Sequence, residues 1–89
     1  KAAIVGYTRA IALELANKGI TANTLALGYF ETGLINHLTA PLQDDIKTKT
    51  PLKRFGHVSE IGGQVDFLLS DAGAFTTGQT IHMNGGFYL

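Results

Sequence analysis

The sequence predicts an α/β fold in which a helical crossover joins two parallel strands. A short, mostly apolar segment over residues 20–27 has the composition of a strand that is buried on both faces, and residues 79–83, after the Thr77-Gly78 turn, are predicted as a last strand. Apolar residues at helical spacing occur before the first of these segments, over 1–18, and between them, over 59–69. Strand, helix and strand in this order form a βαβ unit, from which parallel sheets are built.

The first helix is predicted over residues 1–18. Ile4, Ile11 and Leu15 fall on one face of such a helix, and Lys18 followed by Gly19 is a typical helix end. No capping residue precedes this pattern, so we expect the helix to start upstream of Lys1.

The first strand is predicted over residues 20–27, with Gly28 ending it. Asn23 falls within this segment, where asparagine is disfavoured. Because a buried amide needs hydrogen-bond partners, we favour a structural role for Asn23 over a catalytic one.

Residues 29–50 are predicted to form a helical flap. Leu34, Ile35 and Leu38 indicate one short helix and residues 42–49 a second, with Pro41 separating them.

The next segments are a turn over 51–56, a helix over 59–69 and the closing strand over 79–83. His57 or Ser59 could cap this helix, and Glu60 would suit its first turn. Two parallel strands alone would leave apolar faces uncovered. We therefore expect further chain upstream, or a partner chain, to cover them.

Composition excludes several classes of protein. The 89 residues carry seven basic and seven acidic side chains and no cysteine. We therefore expect no nucleic-acid partner and no disulfide or thiolate metal site. No apolar run approaches the roughly 20 residues of a membrane span, and the N-terminus does not resemble a signal peptide. A cytoplasmic protein fits this composition.

Five segments, in order, resemble the short-chain dehydrogenase/reductase family over essentially the whole chain. They are KAAIVGYTR (1–9), ITANTLALG (20–28), FET (30–32), PLKRFG (51–56) and TGQTIHMNGG (77–86). The ending NGGFYL (84–89) is most similar to 3-oxoacyl-thioester reductases. The resemblance implies that residues 1–89 are the C-terminal portion of one NAD(P)-binding, Rossmann-like, doubly wound domain. The phosphate loop and the catalytic tyrosine would lie upstream.

The resemblance makes Lys1 a catalytic and cofactor-binding residue. It matches the lysine of the family's Tyr-x-x-x-Lys motif, whose ammonium lowers the tyrosine pKa and hydrogen-bonds the nicotinamide ribose. A tyrosine four residues before Lys1 would share its helix face. From composition alone, Lys1 reads as an ordinary exposed lysine.

Gly28, Phe30 and Thr32 are the other cofactor-binding residues that the resemblance implies. The Phe30 backbone would pair with the nicotinamide carboxamide, and the Thr32 hydroxyl would contact the carboxamide or pyrophosphate. Leu27 replaces the family's usual proline, which changes the expected shape of this loop. Without the resemblance, Gly28 reads as a glycine needed by a strand-to-loop turn.

Structural interpretations are favoured for the remaining polar residues. His37, His57 and His82 lack the spacing of a metal site, and we predict none. The pair at 44–45 reads as a solvated helix start, and Arg54 as a ligand of a carbonyl or an acidic side chain. The glycine pair at 85–86 is not a phosphate-binding loop, because no helix follows it.

The resemblance implies an oxidoreductase of fatty acid metabolism that transfers hydride between NAD(P)H and a carbonyl, with a 3-oxoacyl thioester as preferred substrate. We expect NADP to be preferred over NAD and the protein to be a cytoplasmic homotetramer. Two alternatives stay open: an inactive truncated fragment, and a non-enzymatic α/β binding domain.

Overall fold

A computed structural model describes residues 2–88. Its main elements are α1 (Ala2–Leu15), β1 (Thr24–Leu27), α2 (Ala40–Lys49), α3 (Val58–Leu69) and β2 (Thr80–Met83). β1 and β2 pair in parallel, in a register that runs from Thr24↔Thr80 to Leu27↔Met83. The predicted α/β class and the parallel crossover are therefore confirmed.

The helical segment that begins with α1 ends at Lys18, as the sequence predicts, although α1 itself ends at Leu15. A 3₁₀ turn over Ala16–Lys18 follows it, and Gly19 then adopts a left-handed conformation with φ 72°. The Thr24 hydroxyl donates to the Thr8 hydroxyl at 2.8 Å, which joins β1 to α1. This helix therefore packs beside the first strand.

Strand β1 is shorter than predicted, because residues 20–23 are not part of the ladder. The Asn23 side chain donates to the Thr76 carbonyl (3.0 Å) and accepts from the Gln79 amide (3.1 Å). Gly78 donates its amide to the Ala22 carbonyl at 2.7 Å. Residues 22–23 thus bind the turn that precedes β2, and the structural role predicted for Asn23 is confirmed.

The predicted separation of two helices by Pro41 is wrong. Pro41 lies in the first turn of α2, where its missing N–H is not needed, and Thr39 is the N-cap. The first of the two predicted helices is only a 3₁₀ turn, Ile35–His37. Asp45 lies within α2 rather than at its start and pairs with Lys49 at 3.0 Å.

Helix α3 begins one residue earlier than predicted, with His57 as its N-cap. The Glu60 carboxylate accepts the His57 backbone N–H at 2.8 Å. The helix ends at Leu69, and a 3₁₀ turn over Asp71–Gly73 follows. The first turn of α3 is therefore fixed by the acidic side chain that the sequence placed there.

The hydrophobic core is small. Ile35, Ile46 and Phe55 form it, with Leu38 and Phe87 packed against it. The accessible surface is 6330 Å², whereas a compact protein of this mass exposes about 5,000 Å². The radius of gyration is 15.5 Å, against about 12 Å for a compact domain of this length. The chain thus leaves more surface uncovered than a closed domain of its size does.

Much of that uncovered surface lies on helices α1 and α3 and on the turn after α3. Leu13 and Leu69 are 82% and 81% exposed, and Phe75 is fully exposed. No helix within residues 2–88 is both long and apolar enough to cross a membrane.

Candidate functional site

An open groove lies beyond the carboxyl ends of the two strands. Tyr29 and Phe30, after β1, form one side, and the segment from His82 to Gly86 forms another. The groove has a volume of ≈ 530 Å³. In open parallel sheets, ligands bind outside the carboxyl ends of the strands. The sequence-predicted residues 28 and 30 therefore lie at the edge where such a ligand would bind.

Gly28 is required where β1 leaves the sheet. Its amide donates to the Met83 carbonyl at 2.8 Å, which extends the ladder by one bond. A Cβ on Gly28 would lie 2.8 Å from both Cα and Cβ of Asn84. The close approach of the two chains excludes a side chain here, so Gly28 has a packing role whatever it binds.

Phe30 is held by a backbone bridge to Gly56. The Glu31 amide donates to the Gly56 carbonyl at 2.8 Å, and the Gly56 amide donates to the Tyr29 carbonyl at 2.9 Å. The Phe30 ring is 8% exposed and covers Gly56, where a Cβ would lie 2.4 Å from a ring carbon. Segment 29–31 is thus fixed along one edge.

The peptide groups of Phe30 point to the other edge. Successive peptide groups of an extended segment alternate in direction, so the bridge leaves the Phe30 N–H and C=O facing away from Gly56. Within residues 2–88 the Phe30 N–H has no acceptor, and the Phe30 carbonyl accepts only the Thr32 amide, at 2.8 Å. A carbonyl oxygen can accept a second bond. The donor and acceptor on Phe30 fit the NH₂ and C=O of a primary carboxamide.

Thr32 lies two residues further on, at a second and smaller cavity of ≈ 390 Å³ that Gln43 and Lys47 also line. The Thr32 carbonyl accepts the Ile35 amide at 3.1 Å, at the start of the 3₁₀ turn Ile35–His37. Among residues 2–88, no hydrogen bond engages the Thr32 hydroxyl, so it is available to a ligand. Lys1 lies outside the described residues.

A charged cluster adjoins the bridge. Arg54 binds Glu60 through two hydrogen bonds, of 2.7 and 3.1 Å, and also donates to the Phe55 carbonyl. The Arg54 guanidinium, aided by the His57 backbone amide, lowers the pKa of Glu60 to about 2. The predicted structural role of Arg54 is confirmed. His57 Nδ1 lies 3.2 Å from a carboxylate oxygen of Glu31.

Two residues of this region, Glu31 and Gly56, escaped the sequence analysis as site components. Glu31 is flanked by two predicted cofactor-binding residues, which was the available signal. Gly56 was assigned only to a turn, because nothing local indicates that an aromatic ring 26 positions earlier packs on it.

The glycine pair at 85–86 supports the loop that covers the groove. Both residues have positive φ, 62° and 89°, and a Cβ on Gly86 would lie 2.9 Å from a Pro51 ring carbon. The Leu52 amide donates to the Gly85 carbonyl at 3.1 Å. The glycine pair therefore has a packing role. No cluster of three metal-binding side chains occurs within residues 2–88.

Comparison with known proteins identifies the class. Residues 1–88 match the family model described as enoyl-(acyl carrier protein) reductase. A structure from Brucella melitensis, described as a short-chain dehydrogenase/reductase of the glucose/ribitol dehydrogenase type, superposes with a TM-score of 0.91 at 44% identity, covering 100% of this chain and 36% of its own. The chain therefore belongs to the short-chain dehydrogenase/reductase family.

Within that family, the chain is similar to 3-oxoacyl-[acyl-carrier-protein] reductases. Those of Staphylococcus epidermidis and Staphylococcus aureus are 45% and 43% identical over all 89 residues, which are 36% of each relative. Nodulation protein G of Azospirillum brasilense is 41% identical over 86 residues, which cover 97% of this chain and 35% of that protein. The chain thus spans about a third of the length of these relatives.

Proposed function

We propose that the full-length protein is an NAD(P)H-dependent oxidoreductase that reduces a 3-oxoacyl thioester, on acyl-carrier protein or coenzyme A, to the hydroxyacyl thioester. The observation that carries this proposal is the outward-facing donor and acceptor on Phe30, at the sheet edge where ligands bind. The similarity to 3-oxoacyl-[acyl-carrier-protein] reductases supports the substrate class.

The bound cofactor would supply a hydride to the carbonyl carbon, leaving NAD(P)⁺, while a proton adds to the carbonyl oxygen to give the alcohol. Phe30 would orient the carboxamide through its N–H and C=O, and the Thr32 hydroxyl would contact the carboxamide or pyrophosphate. Gly28 would allow the chain to turn close to the nicotinamide ring. Residues 29–50 would cover the acyl substrate, as a lid does.

Lys1 is proposed as the lysine that lowers the pKa of an upstream tyrosine and binds the nicotinamide ribose. In the full-length protein, Lys1→Ala is expected to lower turnover by at least about 10²-fold, the scale of general acid–base catalysis. Lys18→Ala, a change of the same kind at the end of the same helical segment, is the control and should leave turnover unchanged. Wild-type turnover of the Lys1→Ala variant would remove the catalytic assignment.

Residues 1–89 are proposed to be the C-terminal part of a single Rossmann-like domain. Since 89 residues are 36% of the relatives' length, a domain of about 250 residues is expected. Intact mass of the natural polypeptide tests this. A mass near 9.5 kDa would make the chain itself the whole product and would refute the proposal.

The remaining expectations concern cofactor choice, assembly and location. NADP is proposed as the preferred cofactor, in a homotetramer located in the cytoplasm. Comparison of NADPH with NADH as reductant, the mass of the assembly in solution and cell fractionation test these three proposals separately.

The decisive assay follows oxidation of NADPH and NADH by the full-length protein with a 3-oxoacyl thioester. Substrate-dependent oxidation is expected, with formation of the hydroxyacyl product. Binding of the nucleotide without turnover of any 3-oxoacyl thioester would overturn the substrate class. Absence of nucleotide binding would instead favour a non-enzymatic α/β domain.

A further inference from the structure

A chain of polar contacts joins the proposed cofactor-binding segment to the first turn of α3. Glu31 lies between Phe30 and Thr32, and its carboxylate is 3.2 Å from His57 Nδ1. His57 donates its backbone N–H to Glu60 at 2.8 Å, and Arg54 holds Glu60 through two hydrogen bonds. The Glu31 and His57 side chains are 57% and 53% exposed, so solvent reaches both.

The contact between Glu31 and His57 lies just after the last backbone hydrogen bond that ties segment 29–31 to Gly56. The bridge to Gly56 ends at the Glu31 amide, and within residues 2–88 the next backbone bonds of the segment are local ones, from Thr32 to Phe30 and from Ile35 to Thr32. The Phe30 carbonyl lies in the same planar peptide group as the Glu31 N–H, so the bridge to Gly56 fixes it. Rotation about the Glu31 backbone bonds would instead displace Thr32. The imidazole of His57 restrains that rotation from a second direction.

We propose that His57 and Glu31 are positioning residues that hold the Thr32 end of segment 30–32 in the geometry that binds the nicotinamide cofactor. The inference rests on the proposed function. Neither residue is assigned a contact with the reacting atoms.

Three charged groups lie around the imidazole of His57. They are the carboxylate of Glu31 from the segment after β1, that of Glu60 from α3, and the guanidinium of Arg54. Because Arg54 is already paired with Glu60, the contact that Glu31 makes in this cluster is with the imidazole.

The test is equilibrium binding of NADPH to the full-length protein, followed by nucleotide fluorescence. Wild type, Glu31→Gln, His57→Gln and the double variant form a double-mutant cycle. We expect His57→Gln to weaken binding up to about fivefold, the upper range for an exposed side-chain pair of this kind. The double variant should bind better than the product of the two single effects predicts, because each single variant already removes the shared contact.

The cycle separates positioning from a simple field effect. If the two charges only acted on the anionic cofactor through space, their effects would multiply independently, which would overturn the proposal. Asp45→Asn with Lys49→Gln provides the matched control, because this exposed pair, 3.0 Å apart, lines neither cavity and should show no coupling in cofactor binding. A wild-type protein that binds no nucleotide would refute the proposed function, and this inference with it.

Discussion

Gly56→Ala should destabilise the full-length protein, because the added methyl group would overlap the Phe30 ring. The new Cβ would lie 2.4, 2.5 and 2.9 Å from three carbons of the Phe30 ring, well inside contact distance. That ring is buried, and the backbone bridge fixes its Cα beside Gly56. Either the ring must leave its rotamer or the bridge must open.

Overpacking of this kind costs about 1–3 kcal/mol. For a protein of 150–250 residues, each kcal/mol lowers the melting temperature by about 2–4 °C, so a decrease of about 2–12 °C is expected. Calorimetry of the full-length protein measures it. Because the bridge also orients the Phe30 peptide groups, NADPH should bind more weakly to this variant at a temperature where it is fully folded.

The same substitution at Gly62 supplies the control. Gly62 lies inside α3, and an added Cβ would meet nothing within 4 Å among the described residues. Alanine there should raise stability by roughly 0.5–1 kcal/mol, because glycine is a poor helix former. A Gly56→Ala protein that melts at or above the wild-type temperature would refute the packing argument, and with it the account of how Phe30 is placed.

Two further predictions concern the polar contacts. Asn23→Ala should lower the free energy of unfolding by about 1–3 kcal/mol, since a carbonyl and an amide of the turn before β2 would both lose their partner. Denaturant titration measures this, and Asn36→Ala, at an exposed position, should change it little. The pKa of Glu60 is lowered to about 2 by the Arg54 guanidinium and the His57 amide, so its contribution to stability is present above its ordinary pKa of 4.5. That contribution should decline as the pH falls from about 4.5 towards 2. The Glu60→Gln variant should lose this part of the acid dependence of unfolding. If Glu60→Gln kept the full wild-type profile, the stabilising role of Glu60 would be contradicted.

The helices and the parallel crossover were predictable because their signals are local. The apolar spacing of α1 and α3 and the glycine after Lys18 each report on residues within a turn or two. The start of β1 was not predictable in this way, because it depends on contacts between Asn23 and a turn more than 50 positions away. The prediction at Pro41 was wrong because a proline can either interrupt a helix or begin one. The N-cap at Thr39, which the structure shows, distinguishes the two cases.

In the candidate site, too, some features could be predicted from the sequence, whereas others depend on contacts between distant residues. The resemblance to a family directs attention to Gly28, Phe30 and Thr32, but it does not explain why the Phe30 backbone faces outward. That orientation comes from the backbone bridge between Phe30 and Gly56. Position 56 requires glycine because the fold packs the Phe30 ring directly against it. A glycine just before a helix commonly serves a turn that needs a positive φ, but Gly56 does not have a positive φ. Close approach, rather than backbone freedom, therefore selects glycine at position 56, and this requirement physically links the segment before α3 to the proposed binding of the nicotinamide.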